Sequence, residues 1–154
     1  MDTNLTDVRL NDNKKTVEDV VWEISAPMKE MKYRKNKHTW YKKLNDLTIV
    51  FSIQKSQYDC NSWWYVFGIC LDGIAKEKAR SIRACHISYR TDRMVHGKEL
   101  TPIDLVQLVM RWEEMYGNLR RLQICAVEGR LPGQYSRQAV SYLTSCDISR
   151  LDSC

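Results

Sequence analysis

The chain has 154 residues, 44% hydrophobic and 28% charged, with six Gly and three Pro, the profile of one globular domain over 1–154 rather than a disordered or fibrous chain. Its apolar runs, such as Trp63–Phe67, fall far short of the roughly 20 residues a membrane span needs; Met1–Leu10 has no basic start leading into an apolar run, so the expected compartment is the cytoplasm. Lys and Arg outnumber Asp and Glu by 24 to 19, a formal charge of +5, a mild excess that suits an acidic protein or a polyanion equally.

Residues 1–15 lack an apolar period and read as a frayed leader. Thr16 offers a helix start, with Glu18 and Asp19 placing negative charge in the first turn. Val17, Val20, Val21, Ile24, Met28 and Met31 then recur at helical spacing, and Pro27 predicts a kink or break near Ser25–Ala26. From His38 the period changes to two. Thr39–Lys42 and Leu47–Gln54, joined by Asn45–Asp46, predict a β-hairpin in which Leu47, Ile49, Phe51 and Ile53 share the core face. Trp63–Leu71 is apolar on both faces, the mark of a central strand, and Ala84–Arg90 reads as a fourth strand. Thr101–Pro102 followed by Asp104 opens a helix that Gly117 closes. Asn118 starts a further helix to about Gly129, and Ser136–Cys146 forms the last. The expected fold is α+β: an antiparallel meander of about four strands, an N-terminal helix packed on it, and C-terminal helices.

The six cysteines, at 60, 70, 85, 125, 146 and 154, contain no Cys-x-x-Cys pair, and His38, His86 and His96 fall in no zinc-like spacing with them. Reduced thiols and no metal are expected. Cys85–His86 is the one adjacent thiol and imidazole, but neighbours on a strand point to opposite faces and cannot form a nucleophile–base pair. Glu113 and Glu114 read as a solvated helix face. No Gly-rich phosphate loop, Gly-x-Ser-x-Gly or His-Glu-x-x-His occurs, so no catalytic residues and no cofactor are expected.

Two features remain as candidate binding residues. The first is a basic band over Lys29–Lys43, with Lys35, Lys37, Lys42 and Lys43 available for phosphate or an acidic protein. The second is Gln54, Lys55, Ser56 and Tyr58, leaving one strand, with Trp63 and Trp64 entering the next; amide, hydroxyl and ammonium groups beside indoles suit an interface anchor or base stacking.

Trp40–Tyr41, Ile49-Val-Phe-Ser-Ile-Gln-Lys-Ser-Gln-Tyr58, Trp64-Tyr-Val-Phe-Gly-Ile69 and Cys85-His-Ile-Ser-Tyr-Arg90 resemble, in order, the landmarks of the bacterial domain-of-unknown-function family numbered 4304. The similarity runs over residues 17–95. Where the family has Asn-Leu before Gly-Ile, this chain has Val66-Phe67. The resemblance implies a compact bacterial cytoplasmic α+β protein and supplies no catalytic residues. The expected function is protein binding, its specific form an immunity protein that covers the active site of a cognate toxin; the alternative is a nucleic-acid-binding module using the basic band and exposed aromatics.

Overall fold

The computed structural model describes residues 15–59, 62–75, 81–95 and 97–145. The leader up to residue 14, Cys60, His96, Cys146 and Cys154 lie outside the described residues. Helix α1 spans Val17–Glu30, capped by Thr16, whose hydroxyl accepts from the Asp19 N–H while the Asp19 carboxylate accepts from the Thr16 N–H. The chain does not break at Pro27: the helix runs through it to Glu30. A proline this close to the C-terminus forfeits one ladder bond, and burial of Ile24 and Met28 on either side of it holds the last turn in place.

Among the described residues eight strands follow rather than about four: β1 (Arg34–Asn36), β2 (Thr39–Lys43), β3 (Leu47–Lys55), β4 (Trp63–Leu71), β5 (Ile87–Asp92), β6 (Met94–Val95), β7 (Lys98–Glu99) and β8 (Gln134–Tyr135). Six form one antiparallel sheet in the order β1-β2-β3-β4-β5-β8, and β6 with β7 makes a separate hairpin. The additional strands are two or three residues long, and β1 and β8 are wholly exposed, so they carry no buried alternation by which to be read. The Ala84–Arg90 expectation divides into a one-turn 3₁₀ helix at Ile82–Ala84 and β5.

Helices α2 (Pro102–Tyr116), α3 (Leu119–Val127) and α4 (Arg137–Ser145) follow the strands. Thr101 and Asp104 build the same reciprocal cap as at α1, and the Asn118 side chain accepts from Arg121 N–H at the start of α3. None of the described helices is long and apolar enough to cross a membrane. All four described α-helices take part in one core with the inward alternates of the sheet: Val17, Val20 and Ile24, Leu105, Val109 and Trp112, Leu122, and Leu143 against Trp40, Phe51, Tyr65, Phe67 and Ile87. On the opposite sheet face a second, smaller cluster joins Val50 and Cys70 to Tyr41, Ala75, Ile82, Ala84 and Cys85. Gly68 makes this possible, since a Cβ there would lie 2.5 Å from the Cys85 Sγ and 2.6 Å from Ile82 Cδ1. The helix-free face is therefore strapped at one end by the segment ending at Cys85.

Candidate functional site

Among the described residues, no helix or strap lies over the other end of that face. Alternation puts Gln54 of β3, Trp64 and Val66 of β4, and Arg90 and Asp92 of β5 on it together, with Gln54 opposite Trp64, Trp64 opposite Asp92 and Val66 opposite Arg90. Arg90 reaches diagonally to place its guanidinium 3.9 Å from the centre of the Trp64 ring. The Trp64 indole N–H donates to Gln54 Oε1 at 3.0 Å. One row over, the Thr39 and Ser52 hydroxyls are 3.0 Å apart. The result is an indole fixed at its edge by an amide and on its face by a cation.

The loop at this end is held as firmly. Ser56 N–H donates to Ser62 O, extending the β3–β4 ladder past the strands, while the Ser56 hydroxyl accepts from the Tyr58 and Asp59 N–H groups. Ser62 Oγ donates to Asp59 Oδ2 at 2.7 Å. Ser56 is thus the keystone of a turn that presents Tyr58 to solvent at 96% exposure. Lys55 turns toward α1, where its Nζ meets Glu18 Oε1 at 2.6 Å and holds that carboxyl below its usual range.

Trp63 and Trp64 part company. Trp63 is 4% exposed on the helix-covered face; its indole N–H donates to Tyr65 OH at 3.1 Å, and the Arg93 guanidinium, itself paired with Glu99, lies 3.9 Å from its ring centre. The basic band divides too. Lys35, Lys37 and Lys43 are exposed along the β1–β2 edge, but Lys42 points to the helix side, its Nζ 3.1 Å from both oxygens of Glu113. Glu113 also accepts from the Tyr33 hydroxyl at 2.8 Å, so it is a half-buried clasp between three segments and not a solvated helix face.

A family model, described as Domain of unknown function (DUF4304), matches residues 11–115, most of the chain. The chain belongs to the DUF4304 family. No curated protein and no solved structure matches it. The DUF4304 span includes Gln54, Tyr58, Trp64 and Arg90, and ends in the last turn of α2.

In this DUF4304 chain Arg90 closes the Cys85–Arg90 landmark of the resemblance but is not among the expected binding residues. Its place beside Trp64 follows from the β4–β5 register, which no local pattern announces. Cys85 and His86 do not act as a pair. The His86 Nδ1 accepts from Leu71 N–H at 3.0 Å, closing the end of the β4 ladder, and burial pushes the imidazole pKa down and the Cys85 thiol pKa up.

Proposed function

We propose that this domain acts non-catalytically, by binding another protein through the open end of its helix-free sheet face, with Trp64 and Tyr58 as the anchors. The observation that supports this reading is the Arg90–Trp64–Gln54 stack. Its Trp and Arg belong to the types that dominate interface energetics, and the stack is ordered before any partner arrives, so little rotamer entropy is left to lose. Ser56 serves by holding the Tyr58 turn. A toxin-neutralising immunity protein that covers a toxin's active site is the specific form of this proposal. The test is capture of a partner from the native host, identification by mass spectrometry, and titration of purified variants. Trp64→Ala should weaken binding by about 2 kcal/mol or more. Unchanged affinity in both Trp64→Ala and Tyr58→Ala would refute the reading.

A nucleic-acid interface is the second reading, favoured by the exposure of Lys35, Lys37 and Lys43 along one edge. It requires oligonucleotide affinity that falls steeply between roughly 50 and 200 mM salt, with the slope reduced by about one for each lysine replaced by Ser.

A further inference from the structure

On the helix-covered side, a surface cavity of about 220 Å³ opens between β5, α2 and the loop before β8, lined by Phe67, Tyr89, Leu108, Arg111, Trp112, Met115, Tyr116 and Pro132. Its walls are aromatic and aliphatic. Tyr89 and Met115 at its rim are 46% and 54% exposed, and Arg111 is an exposed cation among them.

The cavity adjoins an open sheet edge. Ser136 N–H donates to His86 O, while the His86 N–H itself turns back to Ile69 O of β4; from there backbone groups alternate sides along the antiparallel strand, so Ser88, Arg90 and Asp92 direct their N–H and C=O away from β4. The β3–β4 pairing agrees: the Ser56–Ser62 bond assigns odd-numbered β4 residues to β5. Strand β8 pairs only with Ile87 and Ser88. It stops there because Gly133, at φ +62, presses its backbone against Ser88, where a Cβ would lie 2.1 Å from the carbonyl oxygen. Beyond it the N–H and C=O groups of Arg90 and Asp92 face outward with no strand beside them among the described residues. Pro132, just before Gly133, forms the near wall of the cavity.

We infer that this edge and cavity form a second recognition site, for an extended acidic peptide of a partner protein that adds as a strand along Arg90–Asp92 and places one large apolar side chain in the cavity. An added strand continues the line of β8, and alternate side chains on it then face the helix side, where the volume suits one aromatic or branched aliphatic group. The cation at the rim selects an acidic residue flanking that group. This site lies across the sheet from Trp64 and stands independently of the reading above.

Panning a phage-displayed random dodecapeptide library against the full chain tests it. Enriched peptides should carry one large apolar residue with Asp or Glu within two positions, and their affinity should fall at least about tenfold in Met115→Glu and in Asp92→Pro. The proline removes an outward N–H, which an edge strand tolerates, together with the Asp92 carboxylate on the opposite face, for which Asp92→Ala is the control that should bind as the wild type; far-ultraviolet circular dichroism confirms the fold, and Arg111→Gln, on an exposed helix face, gives a further, milder variant that should relax the preference for acids. No enrichment, or enriched peptides that bind all three variants besides the control as tightly as the wild type, would overturn the proposal. So would concentration-dependent dimerisation abolished by Asp92→Pro, which would assign the edge to a second copy of this chain.

Discussion

Replacing Glu113 by Ala tests whether the clasp between α1, β2 and α2 is structural. Tyr33 is 5% exposed, and its hydroxyl has the Glu113 carboxylate as acceptor at 2.8 Å. The Lys42–Glu113 pair is 22% and 28% exposed at its two side chains. Removing the carboxylate strands a buried hydroxyl that had a charged partner, at about 1.5–3 kcal/mol. The partly exposed ion pair adds no more than about 1 kcal/mol, since Lys42 can swing toward water. A total of about 2–4 kcal/mol lowers the melting temperature by roughly 5–15 °C for a domain of this size. The decisive measurement is a double-mutant cycle with Tyr33→Phe, each variant unfolded in urea. Once the acceptor is gone, loss of the hydroxyl should cost nothing or stabilise, giving a coupling energy of about 1 kcal/mol or more. Strict additivity of the two changes would show that the hydrogen bond contributes nothing and that the loss at Glu113 is one of packing.

Phe51, 1% exposed and ringed by Trp40, Tyr65 and Phe67 at centroid distances of 5.8, 6.1 and 5.2 Å, should cost about 3–5 kcal/mol when truncated to Ala; an unchanged melting temperature would place it on the wrong face. Stability should fall on the alkaline side. Burial raises the Cys70 thiol from 9.0 to about 11 and raises Cys85, Tyr33 and Tyr65 as well, so the unfolded chain releases protons first. The contribution is intact below the unfolded thiol value and declines as pH climbs through the folded ones. Urea titrations at about pH 8 and pH 10.5 should show that decline, and a smaller one in Cys70→Ala. All six thiols should react in denaturant without reductant, as Cys70, Cys85 and Cys125 are free; a lower count in fresh protein would reveal a cross-link.

The elements legible in the sequence were those whose own side chains state their environment. Leu47, Ile49, Phe51 and Ile53 declare a face by alternation, and Thr16–Asp19 and Thr101–Asp104 declare helix starts by capping chemistry. What was illegible depends on a partner distant in sequence. Strands β1 and β8 exist by backbone pairing with a neighbour and bury none of their own side chains. Glu113 looked solvated because nothing within its helix shows that Tyr33 and Lys42 meet it. The same holds for the basic band, whose four lysines are alike in sequence until the β2–β3 register sets Lys42 opposite Ile49, within reach of Glu113.

The two tryptophans show where local pattern and tertiary cover combine. Alternation alone separates Trp63, on the Tyr65 and Phe67 face, from Trp64, on the Val66, Gly68 and Cys70 face. It does not say which face is covered. Along β4 the helix-free face runs from Trp64 through Val66 to Gly68 and Cys70, from the largest side chain to none and then to a small one. Small residues are needed where another segment lies close, and Gly68 receives Cys85 and Ile82. At Trp64 it is Arg90 and Gln54 that cover the indole, from within the sheet. Among the described residues the size gradient along that face therefore follows the strap: side chains are small or absent where Cys85 and Ile82 lie against the sheet, and large where the sheet shields itself.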